Sequence, residues 1–188
     1  TGTITTWSDS SGQGNTATAV NAPTGVAAVV NGHKIVRFTA SGTPGASDYF
    51  TLPDFASAFT EGEAFLVVKV AADPPASTPI SGLWWFGSAT TATHFPYDGD
   101  SKVYDSFGGT VRQTTVDPAT TLAQFNIYDV YSASADWQNY LNNVSLFSTG
   151  TNTVGFTTTP RLGCNNAADV CGNLDIAELR VYDHKLSG

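Results

Sequence analysis

Nowhere along this chain do apolar residues recur at the three-and-four spacing of an amphipathic helix for more than about a dozen positions. What recurs is alternation of apolar with polar residues, together with short apolar runs bounded by Gly, Pro, Asn and Asp. A chain patterned in this way buries its apolar side chains by pairing strands, because successive side chains on a strand point to opposite faces. An all-β protein is therefore expected. The runs predict strands at Ala17–Val20, Val26–Val30, Lys34–Thr39, Tyr49–Leu52, Ala64–Ala71, Leu83–Gly87, Thr91–Tyr97, Lys102–Phe107, Phe125–Ser132, Asp136–Leu141, Val144–Ser148, Arg161–Gly163 and Leu174–Tyr182. The stretch Ala64–Val70 is apolar at nearly every position, which predicts a central strand covered on both faces. Asp54–Glu61 is the best candidate for a short helical turn.

Turn chemistry punctuates these strands. Asn31-Gly32 lies between two apolar runs and marks a two-residue hairpin, since both residues tolerate the positive φ that such turns need. Asn142-Asn143 has the same placement. Asp73-Pro74-Pro75 and Asp117-Pro118 are loops, because a proline cannot donate to a central ladder. No repeat is visible at a period of ~20–50 residues, so propellers and solenoids are not expected. At 188 residues the chain has the length of one domain, 1–188, and one β-sandwich accommodates all of these signals.

Charge narrows the partners. The net charge is −8 at pH 7, and the eight Lys and Arg residues are scattered singly. A phosphate backbone would find no basic footprint, and no nucleic-acid partner is expected. No apolar run approaches the roughly 20 residues of a membrane-spanning helix, so no membrane insertion is expected. The chain begins at Thr1 and contains no Met, as expected of a piece of a longer polypeptide whose targeting signal has gone. Cys164 and Cys171 flank the loop Asn165-Asn166-Ala167-Ala168-Asp169-Val170, and a disulfide between them is expected, with two free thiols as the alternative. A metal site there is disfavoured, because His33, His94 and His184 lie on other segments at no ligand spacing. A disulfide places the protein outside the cell, at a cell surface or on a virion surface.

The opening residues Trp7-Ser8-Asp9-Ser10-Ser11-Gly12-Gln13-Gly14-Asn15-Thr16-Ala17 carry a resemblance to a known family. Asn31-Gly32 with Val36-Arg37-Phe38, Asp48-Tyr49-Phe50 with Leu52, and the strand Ala64–Val70 follow in order. The chain closes on Gly172-Asn173-Leu174-Asp175-Ile176-Ala177-Glu178-Leu179-Arg180-Val181-Tyr182-Asp183, then His184-Lys185-Leu186-Ser187. Together these resemble the laminin-G-like domains, of bacterial and phage type, in the concanavalin A-like lectin/glucanase superfamily. The resemblance implies a two-sheet antiparallel jelly-roll sandwich. It leaves activity open, since that superfamily holds lectins, glycanases, adhesion modules and virion surface domains.

Catalytic signatures are sparse. Glycoside hydrolysis needs two carboxyl groups facing one bond, and the only Glu residues are Glu61, Glu63 and Glu178. The glutamate-rich strand of the superfamily's retaining glucanases is missing. Regular alternation along the closing strand would put Asp175 and Glu178 on opposite faces, where they cannot bracket a glycosidic bond. No nucleophile elbow, zinc-protease helix or phosphate-binding glycine loop is present.

Recognition is better supported. The segment His94–Arg112 concentrates rings, carboxylates, a His and an Arg around a turn. An aromatic ring can lie on the C–H face of a sugar while carboxylates and Arg bond its hydroxyls. His94, Tyr97, Asp98, Tyr104, Asp105 and Arg112 are the candidate ligand-binding residues, with Trp85 as a candidate stacking platform, one of the adjacent pair Trp84-Trp85 facing each side of its sheet. Asp98 and Asp100 are the best candidate pair for a calcium ion, with Asp105 as a third ligand. The expected function is a non-catalytic carbohydrate-recognition or adhesion module whose partner is a glycan or polysaccharide. A decoration or fibre domain contacting other structural proteins is the first alternative, and a polysaccharide-degrading enzyme the second.

Overall fold

A computed structural model describes residues 1–77 and 80–186. In chain order its strands are β1 Gly2–Thr3, β2 Thr6–Trp7, β3 Ala17–Val20, β4 Thr24–Val30, β5 His33–Phe38, β6 Tyr49–Thr51, β7 Glu61–Val70, β8 Trp84–Gly87, β9 Tyr104–Asp105, β10 Gln113–Thr114, β11 Asn126–Ala133, β12 Asp136–Leu141, β13 Val144–Thr149, β14 Phe156–Leu162 and β15 Leu174–Tyr182. An eight-stranded sheet has the order β1-β4-β5-β15-β7-β11-β12-β13, and a five-stranded sheet the order β2-β3-β6-β14-β8. Neighbours are antiparallel throughout. The result is an antiparallel sandwich of jelly-roll type, and no helix occurs among the described residues.

Alternation decides what lies between the sheets. Phe38, Leu66, Val68, Tyr128, Val130, Trp137 and Ile176 from the larger sheet meet Phe50, Trp84, Phe86, Phe156 and Leu162 from the smaller. The hairpin between β4 and β5 turns on Asn31 (φ 47°) and Gly32 (φ 80°), and that between β12 and β13 on Asn142 (φ 50°) and Asn143 (φ 65°). Both central residues are left-handed in each, as the strand twist requires. Asp73-Pro74 and Asp117-Pro118 lie in loops.

Five expectations need correction. β7 is central, between β15 and β11, but only one of its faces is buried: Leu66, Val68 and Val70 are inside, while Phe65, Val67 and Lys69 are half-buried on an outer face. Asp54–Glu61 makes a turn held by the Asp54 carboxylate, which accepts bonds from Ser57 N at 3.1 Å and Ser57 Oγ at 2.8 Å. The strands expected at Thr91–Tyr97 and Lys102–Phe107 contract to the one bridging residue His94 and to β9. β14 begins at Phe156, earlier than the expected Arg161, because its Thr157–Thr159 portion shows no apolar alternation. In β15 the register slips between Ile176 and Glu178. That bulge adds one residue and flips the alternation beyond it, so Asp175 and Glu178 share the outer face, while Ile176, Leu179 and Val181 face inward. Asp175 is held by Arg37 at 2.7 and 2.8 Å, and Glu178 by Arg180 at 2.6 Å. Ser187 of the closing motif lies outside the described residues.

Candidate functional site

Most of the expected site residues lie on the long connection between β8 and β11, and three short ladder steps hold it to the sandwich. Gly82 bridges His94, His94 bridges Tyr104, and Tyr104 pairs with Thr114 in the β9–β10 ribbon. The backbones of His94 and Tyr104 exchange hydrogen bonds at 2.8 and 2.9 Å. Partners across such a ladder point the same way, so the His94 and Tyr104 rings share one face. Their neighbours Phe95, Val103 and Asp105 point into the core.

Beyond the ladder the chain reverses in a tight turn, with Tyr97 N donating to Lys102 O at 2.9 Å and Ser101 N to Tyr97 O at 2.8 Å. The turn carries Tyr97 back over the other two rings. Centroids lie 4.9 Å apart for His94 and Tyr97, 6.1 Å for His94 and Tyr104, and 5.6 Å for Tyr97 and Tyr104, all edge to face. The Arg112 guanidinium sits 4.7 Å over the Tyr104 ring and donates to Ala92 O at 2.8 Å. Tyr104 donates its phenol proton to Asp100 Oδ2 at 2.6 Å, and that hydrogen bond, with burial, raises the Tyr104 pKa. His94 Nδ1 lies 2.6 Å from Ser81 Oγ. Burial, and then the Arg112 charge, push the His94 pKa down to about 4, against the opposing pull of Asp98 and Asp100. Its imidazole is neutral at physiological pH.

His94, Tyr97, Asp98, Tyr104 and Arg112 are thus brought together, with Tyr97 the most open at 37% exposure. Two other expected residues are elsewhere. Asp105 is fully buried, because it stands one position from the outward Tyr104, and its carboxylate accepts bonds from Trp84, Tyr128 and Phe107. Trp85 does face away from Trp84, but it is only 5% exposed and donates to Thr157 Oγ1 at 3.2 Å, so it offers no open ring. Ser81 was not singled out in the sequence. It stands 13 positions before His94, and only the ladder reveals that it orients the imidazole.

The donor set for calcium is incomplete. Asp100 Oδ1 already accepts from Lys102 N, and its Oδ2 from Tyr104, with Lys102 Nζ 3.4 Å away. No group of three or more His, Cys, Asp or Glu that could hold an ion is found among the described residues. Asp105, the expected third ligand, lies in the core and away from Asp98 and Asp100. The cysteines do form the Cys164–Cys171 disulfide, which closes a loop of sequence separation 7 at the end of β14.

The sandwich has counterparts among solved structures. Trypanosoma rangeli sialidase in complex with sialic acid aligns at a TM-score of 0.69 with 12% identity, covering 98% of this chain and 30% of the sialidase. Domain 4 of AbnA, a GH43 extracellular arabinanase from Geobacillus stearothermophilus, in complex with arabinotriose, aligns at 0.62 with 17% identity, covering 93% of this chain and 85% of that domain. The receptor binding domain of botulinum neurotoxin C/D mosaic serotype aligns at 0.64 with 9% identity, covering 99% of this chain and 49% of that one. The chain therefore spans less than a third of the sialidase and nearly the whole arabinanase domain. These likenesses show the fold. No protein-family model matches the chain, and no curated protein matches it.

Proposed function

We propose that this chain is a non-catalytic carbohydrate-recognition module of the concanavalin A-like type, carried by a protein at a cell or virion surface or in the extracellular space. The observation that carries the proposal is the cluster of His94, Tyr97 and Tyr104 rings, with Arg112 stacked on Tyr104 and two carboxylates at its rim. A pyranose lays a C–H face on Tyr97, and its hydroxyls meet the remaining lone pairs of the Asp100 carboxylate and the N–H groups of Arg112. The fold neighbours support this reading, since the Trypanosoma rangeli sialidase is in complex with sialic acid and domain 4 of AbnA in complex with arabinotriose. The disulfide and the extracellular arabinanase agree with an oxidising compartment.

A glycan array tests the proposal, probed with the wild-type chain and with Tyr97→Ala, each with calcium and with chelator. Selective binding that Tyr97→Ala removes without lowering the melting temperature supports the site. Loss of the signal in chelator alone would establish a calcium-dependent lectin and direct attention to Asp98 and Asp100. A blank array in both conditions would overturn the reading in favour of a structural module.

A further inference from the structure

Pairing between β5 and β15 stops halfway along both strands. Leu174, Asp175 and Ile176 pair with Phe38, Arg37 and Val36. Past the bulge at Ile176, Glu178–Tyr182 pair with β7 alone. Among the described residues no strand runs along the opposite edge of Glu178–Tyr182. The physical cause is the irregularity on both sides of the gap: β15 slips between Ile176 and Glu178, and β4 slips against β5 between Val26 and Val30. Each slip adds local twist, and the β4–β5 hairpin leaves the sheet instead of continuing beside β15.

The gap is one part of a cleft of about 1280 Å³ that also runs over the outer face of the larger sheet at Val67 and Ile127. Trp7, Leu52 and Phe55 line it from the smaller-sheet side, and Leu179 and Val181 from β15. Lys34, Glu178 and Arg180 stand at its outer rim, where Glu178 and Arg180 satisfy each other at 2.6 Å. None of the residues of the ring cluster lines it. In an antiparallel strand the N–H and C=O groups of alternate residues point to opposite sides. Half of the backbone groups of Glu178–Tyr182 bond to β7, and the other half point into the cleft as a row of donors and acceptors with a two-residue repeat.

An extended polypeptide backbone presents donors and acceptors at that same repeat, and adding a strand to an open edge is a general mode of peptide recognition. We propose that this cleft takes up an extended segment of a partner polypeptide as a strand added to the free edge of Glu178–Tyr182. The chemistry of the walls specifies the segment. Its side chains alternate between the apolar interior at Trp7, Leu52 and Phe55 and the outer rim, where Glu178 and Arg180 satisfy each other and Lys34 adds a cation. The partner segment therefore alternates apolar residues with polar ones such as Thr and Ser, whose hydroxyls bond Lys34 and the ion pair alike. This site is distinct from the glycan site and does not depend on it.

The test uses the whole chain and a random heptapeptide display library. Enriched peptides are synthesised together with scrambled controls, and each is also made with N-methyl groups on alternate amides, in both registers. Amide hydrogen exchange on the complexes locates the binding. The expected result is enrichment of sequences alternating apolar residues with Ser or Thr. One N-methyl register loses about tenfold or more in affinity, as two or more missing backbone bonds imply, while the other binds like the parent. Amides in Glu178–Tyr182 exchange more slowly in the complex, and those in His94–Arg112 do not change. The proposal is overturned if no sequence is enriched over the scrambled controls, if the two registers respond alike, or if protection falls elsewhere. It is also overturned if an oligosaccharide from the array protects the same Glu178–Tyr182 amides, because the cleft would then be a glycan groove.

Discussion

The indole Nε1 of Trp84 donates to Asp105 Oδ1 at 2.9 Å in the middle of the sandwich, where neither residue is more than 1% exposed. Phe107 N donates to the same oxygen at 3.0 Å, and Tyr128 donates its phenol proton to Oδ2 at 2.8 Å. Asn139 Nδ2 donates in turn to the Tyr128 oxygen at 3.0 Å. One carboxylate thus ties β8, the β8–β11 connection and β11 together, and through Tyr128 reaches β12. Burial raises the Asp105 pKa, and these donors pull it back.

Asp105→Ala would strand those donors in a dry core. At about 1–3 kcal/mol for each buried group left unsatisfied, a destabilisation of about 3 kcal/mol or more is expected in urea unfolding. Tyr128→Phe removes one of the donors to Asp105 and the acceptor of Asn139 Nδ2, and is expected to lose less, about 2 kcal/mol. An Asp105→Ala protein as stable as wild type would show that the network contributes nothing to folding.

Gly87 sits where the connection crosses β8. A Cβ there would lie 1.8 Å from Ser106 O and 2.7 Å from Gly109 O, both backbone atoms with no room to yield. Gly87→Ala therefore lifts the Ser106–Gly109 segment off the strand and disturbs the ladder that carries the ring cluster. A loss of about 1–3 kcal/mol is expected together with weaker glycan binding, in contrast to Tyr97→Ala, which lowers binding alone. Unchanged binding in Gly87→Ala would mean that the cluster does not depend on this crossing.

Strand identity was legible wherever alternation was clean. β3 and β12 begin and end where the apolar pattern predicts, and the Asn31-Gly32 and Asn142-Asn143 hairpins follow from turn chemistry alone. The membership of the ring cluster was also legible, because its residues are close in sequence. Two kinds of information were not. The β15 bulge leaves no local mark, so the side on which Glu178 falls could be known only from its register with Val67. Residue type alone makes Asp105 a candidate ligand beside Tyr104, yet the strand expected at Lys102–Phe107 puts the two on opposite faces. Period two, weighed above residue type, would have placed it in the core.

Cys164, Ala168 and Cys171 of the disulfide loop pack against Tyr49 in a small cluster of their own. For a sequence separation of 7, chain entropy implies that the disulfide stabilises by about 2–3 kcal/mol. The loop has a second brace: Asn165 donates to Asp169 Oδ1 at 2.7 Å and accepts from the backbone of Asp169 and Val170 at 3.2 Å each. The Cys164→Ala/Cys171→Ala protein is therefore expected to lose that stability in denaturant while keeping glycan binding. Adding Asn165→Ala should release the loop, seen as faster hydrogen exchange confined to 164–171. Faster exchange across the whole chain would show the loop to be part of the global folding unit.

Two half-buried groups oppose each other in acid. The His94 pKa falls to about 4 from an ordinary 6.5, so the unfolded chain takes up a proton first. Its contribution to stability is complete above about pH 6.5 and is lost as pH falls toward 4. The Asp129 pKa rises to about 6 from 3.8, through burial first and then the Glu63 charge, against the pull of Lys185. Here the folded chain holds the proton more tightly, so its contribution is complete below about pH 4 and is lost as pH rises through 6. In the wild type the two slopes offset one another across the same window. Relative to wild type, the stability of His94→Gln is expected to fall from about pH 4 to pH 7 and that of Asp129→Asn to rise over the same interval, each on top of the shared background that includes the raised pKa of Asp105. Urea unfolding of wild type and the two variants at several pH values measures both differences. Differences that do not vary with pH would mean that neither group changes its proton affinity on folding, whereas differences of opposite slope would show the two groups acting against each other.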